Sequence, residues 1–292
     1  MSRQIVCVLG MHRSGTSATT RVLNLLGLYI GPDEAMVAAN KNNPKGAYEH
    51  RELMLLNQGV LRVVGGIWKE PPTLADGWEN NPALDELREQ AREVIRETFD
   101  GVDLWGWKDP RTCLLVPFWQ TVVPQMHYVI CIRNPVDVAQ SLERRNELTL
   151  AHGFDLWLRY VVDSIVATAG KPRMFVFYED YFEDWHKPVA RLADFIRRPD
   201  QAASATVRES IEDWLELDLR HHRNDVRDAV GHPELPPEAK ALYLLLDLVF
   251  REEPANPNSG DVPAGSAADV LNQYALSLSR WRGAPSPSPA PH

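Results

Sequence analysis

Gly10, Gly15, Thr16 and Ser17 share the spacing G-x4-G-T-S within Ile5-Val6-Cys7-Val8-Leu9-Gly10-Met11-His12-Arg13-Ser14-Gly15-Thr16-Ser17. Such a loop lets backbone N–H groups converge on an anion at the start of a helix, where hydroxyls add further donors. The spacing nearly reproduces the nucleotide triphosphatase loop G-x-x-x-x-G-K-[S/T]. It lacks the lysine: Thr16 stands where that side chain would reach the β- and γ-phosphates, and the nearby cation is Arg13, inside the loop. Arg13, Ser14, Gly15, Thr16 and Ser17 are therefore expected to grip a phosphate or similar oxyanion, but not ATP in the usual manner.

A second constellation is Arg133-Asn134-Pro135-Val136-Asp137-Val138-Ala139-Gln140-Ser141. Pro135 suits the first turn of a helix. Arg133 would lie at the end of the preceding strand, and Ser141, two turns into the helix, would project on the same side. An arginine and a serine converging on one point make a fixed phosphate clamp. Two anion sites on one sheet edge suggest a nucleotide phosphorylated at both its 5′ and 3′ ends.

These residues need a sheet to hold them. Apolar runs at residues 5–9, 104–107, 127–132 and 174–178 read as strands. Segments 49–64, 84–99, 113–123, 136–145 and 156–169 carry apolar residues at three- and four-residue spacing and read as helices. The alternation predicts an α/β fold, a three-layer P-loop-type parallel sheet flanked by helices, with ligands beyond the C-terminal strand ends. After about residue 200 the chain reads as mostly helical, over 207–219, 237–250 and 267–281, with a linker at 253–265. One domain over residues 1–282 is expected, with irregular, acceptor-side insertions at about 31–48 and 69–82 and a disordered Pro- and Ser-rich tail at 283–292.

Taken together, the two motifs resemble those of the sulfotransferase family, which uses 3′-phosphoadenosine 5′-phosphosulfate (PAPS). Gly10–Ser17 looks like the family's 5′-phosphosulfate loop, and Arg133 through Ser141 like its 3′-phosphate motif, with a matching eight-residue offset. Lys108-Asp109-Pro110 is similar to an element of tyrosylprotein sulfotransferases. Asn43-Pro44-Lys45-Gly46-Ala47-Tyr48-Glu49 and Tyr178-Glu179-Asp180-Tyr181 look like bacterial members. The resemblance covers residues 4 to 200 and is weaker beyond. It implies PAPS as donor, adenosine 3′,5′-bisphosphate as product, and no metal. The leaving phosphate would be neutralised by amides, hydroxyls and basic side chains.

In-line sulfuryl transfer sets three tasks: anchoring the donor, offsetting charge on the bridging oxygen, and removing the acceptor proton. Arg13 and Lys108 are the candidate cations near the transferring group. Glu49 is the candidate base, read here as opening the helix over 49–64, where a carboxylate also stabilises a helix N-terminus. His50 is the second candidate. Asp109 is expected to orient Lys108 or Arg111, and Glu179 and Asp180 to cap a helix near Tyr181. Arg220-His221-His222-Arg223 sits where other sulfotransferases place a late basic loop, without matching its sequence. Trp68, Trp78, Trp105, Trp107 and Trp119 read as core or cleft-lining residues.

Composition narrows the partners. A net charge of −9 gives no general reason to expect nucleic acid or an anionic membrane surface, although a local basic groove overrides a net value. No apolar run is long enough to span a membrane, and Cys7, Cys113 and Cys131 lack metal-ligand spacing and read as reduced core thiols. A cytoplasmic enzyme acting on a small-molecule or carbohydrate acceptor is expected, its oligomeric state open. The rivals are a P-loop small-molecule kinase, which does not explain the missing lysine, and a catalytically inactive nucleotide-binding protein.

Overall fold

Four apolar runs pair as the parallel strands β1 (Gln4–Leu9), β2 (Leu104–Lys108), β3 (His127–Ile132) and β4 (Arg173–Phe177), in the order β2-β1-β3-β4. The computed structural model describes residues 3–39, 46–217, 224–251 and 265–283. Side chains alternate across a strand, so each run feeds two cores. Cys7, Leu9, Trp105, Trp107, Ile130, Ile132, Phe175 and Phe177 face one core. Val6, Val8, Leu104, Val129, Cys131, Met174 and Val176 face the other. With both faces covered by helices, the sheet is the middle of three layers.

On the smaller face lie α1 (Thr16–Leu25), α8 (His186–Phe195) and α10 (Ala205–Leu217), represented by Val22, Leu23, Val189, Leu192 and Ile211. The larger face holds α2 (Arg51–Val63), α3 (Asp85–Phe99), α4 (Thr112–Val122), α5 (Pro135–Asn146) and α6 (Leu150–Ala167). Joining that core are α11 (Val226–Gly231), α12 (Pro237–Leu245) and α13 (Ala267–Gly283), so the C-terminal part is helical as expected. The short α7 (Asp180–Asp184) and α9 (Pro199–Ala203) bracket α8.

Boundaries differ from the sequence reading by up to six residues, and two of the shifts have a visible cause. Helix α2 begins at Arg51, not at Glu49, because residues 49–50 are held in an extended segment. Val37 N donates to Glu49 O at 2.8 Å, and Met36 and His50 form an isolated antiparallel bridge. Helix α6 begins at Leu150, six residues before the expected start, because Thr149 caps it, its hydroxyl accepting from His152 N at 3.3 Å. Of the irregular insertions, 31–39 and 46–48 hold one 3-10 turn, Asp33–Ala35, and 69–82 holds another, Trp78–Asn80. Residues 40–45, the basic run Arg220–Arg223, most of the linker at 253–265 and the tail from 284 lie outside the described residues.

The strand order positions the site. From β1 the chain crosses to β2 on one side and later to β3 on the other. The crevice beyond the C-terminal ends of β1 and β3 is therefore a topological switch point, where open α/β sheets bind ligands. The loop Gly10–Gly15 leaves β1 there, and Arg133 leaves β3 there.

Candidate active site

Backbone shape makes the loop. Gly10 has φ +145°, and a Cβ there would sit 2.8 Å from both Cys131 O and Thr16 Cγ2. Gly10 N donates to Cys113 Sγ at 3.0 Å, which pins the start of the loop to α4. Gly15 has φ +81°, and a Cβ there would fall 2.1 Å from the Tyr178 ring. Both positions therefore require glycine. Arg13 is left-handed too, at φ +73°, a conformation that costs a non-glycine residue of the order of 1 kcal/mol. Ser14 N donates to Met11 O at 3.0 Å, and Thr19 N to Gly15 O at 3.0 Å, where α1 begins. Ser14 Oγ is buried and without a hydrogen-bond partner among the described residues. Buried hydroxyls are ordinarily paired.

The two anion motifs meet. Arg13 Nε donates to Ser141 Oγ at 2.8 Å, and Arg133 Nη1 donates to Arg13 O at 3.0 Å. Arg133 is itself fixed from several sides. Its guanidinium lies 4.7 Å from the centre of the Tyr178 ring, its Nη2 3.7 Å from Asp137 Oδ2, and its carbonyl accepts from Trp157 Nε1 at 3.0 Å. Asn134 caps α5, its Oδ1 accepting from Val136 N at 2.9 Å, while its Nδ2 reaches the carbonyls of Asn224 and Asp225, both at 2.9 Å. Pro135 occupies the first turn of α5, as expected.

Lys108 comes to the same place from the neighbouring strand. It pairs in register with Val8 and shares the strand face of Leu104 and Gly106, the face that α1 covers. Only 1% of its side chain is exposed. Nζ donates to Glu49 Oε1 at 2.7 Å and to Ser17 Oγ at 3.3 Å, and Ser17 Oγ in turn donates to Ala47 O at 3.1 Å. Glu49, Lys108 and the first turn of α1 are thus one hydrogen-bonded group. Close by, Arg111 Nη1 donates to both oxygens of Asp109, at 2.9 and 3.0 Å. Burial pushes the Asp109 carboxyl up against the opposing pull of Arg111. Asp109 therefore orients Arg111, one of the two partners expected for it, while Lys108 pairs with Glu49.

His50 is placed elsewhere. Its ring lies 6.0 Å from that of Phe99, its Nε2 3.5 Å from Thr98 Oγ1, and burial lowers its pKa. It touches α3 and the Gly31 turn, where a Cβ on Gly31 would come within 2.8 Å of the imidazole. Glu179 stands at the start of α7 but makes no side-chain cap bond there; its Oε1 instead accepts from Asn134 N at 2.8 Å, tying the end of β4 to the start of α5. Burial pushes its carboxyl up to about 7. Asp180 pairs with Arg251 at 2.6 Å.

The tryptophans divide into two groups. Phe99, Trp105, Trp107 and Trp119 form a buried run of ring contacts at 4.2, 5.9 and 5.0 Å. Trp68 instead lies against His12, ring centres 4.6 Å apart. The sequence reading passed over His12, although a histidine between two glycines of an anion loop is itself a signal. Among the described residues there is no group of three or more side chains suited to a metal, and no helix long and apolar enough to cross a membrane.

No protein-family model and no curated protein sequence matches the chain. Among solved structures, it is similar to a sulfotransferase from Mycobacterium avium, at 13% identity and a TM-score of 0.48, over 88% of this chain and 79% of that one. It is also similar to the sulfotransferase domain of the curacin biosynthetic pathway, at 15% identity and a TM-score of 0.46, over 95% of this chain and 98% of that one. A third is retinol dehydratase in complex with androsterone and the inactive cofactor PAP, at 15% identity and a TM-score of 0.37, over 96% and 80%.

Proposed function

We propose that this chain is a PAPS-dependent sulfotransferase, moving a sulfuryl group onto a hydroxyl or amine of a small-molecule or carbohydrate acceptor. The observation that carries the reading is the junction of the two anion motifs, Arg13 Nε on Ser141 Oγ and Arg133 Nη1 on Arg13 O, at the β1/β3 switch point. A donor with phosphate at the 3′ position and phosphosulfate at the 5′ position needs cationic anchors for both ends on one sheet edge. The buried Ser14 Oγ, without a partner among the described residues, and the glycine-only positions 10 and 15 fit a loop whose polar groups await an oxyanion.

Each residue then has a task. Backbone amides of the loop, with Ser14, Thr16 and Ser17, hold the 5′ end. Arg133 and Ser141 hold the 3′-phosphate. Arg13 and Lys108 offset the charge that grows on the bridging oxygen as the sulfuryl group leaves. Glu49 takes the acceptor proton, and its contact with Lys108 keeps base and cation in one arrangement. His50, turned towards Thr98 and Phe99, is the weaker candidate for the base.

A kinase would place Mg²⁺ on an acid near the loop. Asp109 follows the strand beside β1, but both of its oxygens accept from Arg111, which speaks against that use. The test is a binding comparison followed by a turnover assay. Adenosine 3′,5′-bisphosphate should bind without Mg²⁺ and more tightly than ATP with it. A screen of cell extract with PAPS should give a product heavier by one sulfate. Tighter, Mg²⁺-dependent ATP binding would overturn the reading, and bisphosphate binding without any transfer would favour an inactive nucleotide-binding protein.

A further inference from the structure

His12 stands in the loop after β1, one residue before Arg13. Its ring is held by Trp68, 4.6 Å away between centres, and by Tyr160 of α6, 6.1 Å away. Tyr160 Oη donates to Trp68 O at 2.7 Å, so the two flanking residues are fixed to each other. The imidazole is partly exposed by area, yet its Nε2 is covered and has no hydrogen-bond partner among the described residues. A buried polar nitrogen left unpaired is costly. Here it belongs to the loop whose glycines, buried hydroxyl and neighbouring arginines all suit an anion.

Four cations act on this ring: Arg111 from the turn into α4, Lys108 from the end of β2, Arg145 from the last turn of α5, and Arg13 from the loop itself. Lys108 is paired with the Glu49 carboxylate, Arg111 with that of Asp109, and Arg13 donates to Ser141 Oγ. From α6 the facing titratable group is Tyr160, whose phenol burial holds protonated. Burial first, and then the four cations, keep the imidazole neutral well below its ordinary range. An oxyanion between Arg13 and Lys108 would cancel much of that positive field and supply the missing partner for Nε2. The neutral ring would then take a proton from solvent and become a second N–H donor.

We propose that His12 is a ligand-contacting residue, its Nε2 hydrogen-bonding an oxygen of the anion held between Arg13 and Lys108, and that the ring gains a proton as the anion enters. The proposal rests on the reading of the loop as an oxyanion site and makes proton uptake part of donor binding.

The test is calorimetric titration of the full chain with adenosine 3′,5′-bisphosphate and with inorganic pyrophosphate. Each titration is run at pH 6.5 and 8 in two buffers of different protonation enthalpy, which counts protons taken up. His12→Gln keeps a hydrogen-bonding group that does not titrate, and His12→Phe keeps the packing against Trp68 and Tyr160 without either property. At pH 6.5 the unsubstituted chain should take up more protons than His12→Gln, by up to one, and its affinity should fall more steeply towards pH 8. His12→Phe should bind about tenfold more weakly, as for loss of a hydrogen bond to a charged group. A measurement that needs no substitution is the ¹⁵N shift of the His12 ring, which should move from neutral to imidazolium on adding either anion.

Equal proton counts and affinities in all three proteins, with no ring shift, overturn the proposal while leaving the oxyanion site standing. His12-dependent uptake with pyrophosphate, when the bisphosphate does not bind, supports the proposal and overturns the sulfotransferase reading. Failure of both anions to bind overturns both.

Discussion

Arg13 Nε donates to Ser141 Oγ at 2.8 Å, joining residues 128 apart in sequence and lying on opposite sides of the crevice between β1 and β3. Each of these side chains belongs to one of the two motifs, so the motifs are joined directly across the crevice. If Ser141 and Arg133 serve the 3′-phosphate, Ser141→Ala should weaken adenosine 3′,5′-bisphosphate by about tenfold, the order expected for one hydrogen bond to a charged group. Adenosine 5′-phosphosulfate, which lacks the 3′-phosphate, should lose much less. Arg133→Ala should show the same selectivity with a larger loss. Calorimetry with the two ligands checks this, and equal losses for both would remove the motif from the 3′ end.

Glu49→Gln keeps a carbonyl oxygen for Lys108 and removes the basic carboxylate. Donor binding should be nearly unchanged, and turnover should fall by roughly the 10²–10⁴-fold expected for loss of a general base. The comparison is a binding isotherm against a single-turnover rate. Unchanged turnover would take Glu49 out of the chemistry.

Glu49→Ala is a different experiment, because it strands a lysine whose side chain is 1% exposed. Removing one partner of a buried pair costs about 3–5 kcal/mol, the larger part of it the uncompensated charge. Ser17 Oγ still accepts from Lys108, so the lower end of that range is expected. Denaturant unfolding should show a loss in both Glu49→Ala and Glu49→Gln, since neither neutralises the lysine, with the smaller loss in the glutamine variant, whose carbonyl can still accept from Nζ.

Gly15→Ala places a methyl group 2.1 Å from the Tyr178 ring at a left-handed backbone position. The ring cannot yield without disturbing its contact with the Arg133 guanidinium. A substitution incompatible with its backbone conformation destabilises by more than about 1 kcal/mol. A lower melting temperature is expected, together with weaker bisphosphate binding, and Tyr178→Ala in the same chain should restore part of the first but not the second.

Glu179 gives a pH dependence. Its carboxyl is raised to about 7 in the fold by burial, above its ordinary value. The folded state therefore holds this proton more firmly than the unfolded chain does. The associated stability is fully present below the unfolded pKa and is lost as pH rises through about 7. Glu179→Gln keeps an acceptor for Asn134 N and does not titrate, so its melting temperature should rise relative to wild type between pH 5 and pH 8. A constant difference across that range would exclude the titration.

The strands were legible because each one is apolar on both faces and bounded by turn residues. Both anion motifs could be read because their spacing is local. The juxtapositions between them could not: nothing in the order of residues says that Lys108 meets Glu49, or that Tyr178 covers Gly15. Those contacts depend on strand order. His50 and Glu49 are adjacent in sequence and read alike as proton acceptors, yet the extended backbone before α2 sends one side chain to Lys108 and the other to Phe99. His12 lies between the same two glycines as Arg13 and Ser14, but nothing local in the sequence says that Trp68 and Tyr160 fold against its ring.

Lys108 reaches the loop only because Val8 of β1 lies beside it in the sheet, an alignment sealed by Gly106, where a Cβ would fall 2.0 Å from Val6 O. A triphosphatase loop carries its lysine within its own backbone, so that charge moves with the loop. Here Arg13 keeps one charge within the loop, but the second, Lys108, belongs to a different strand, and a slip of one residue between β1 and β2 would turn it to the opposite face. A chain misaligned in this way would retain most of its hydrogen-bonded sheet yet have no working centre. If Lys108 serves as proposed, faithful strand alignment during folding is a condition for activity, and that alignment is set at a glycine inside the sheet.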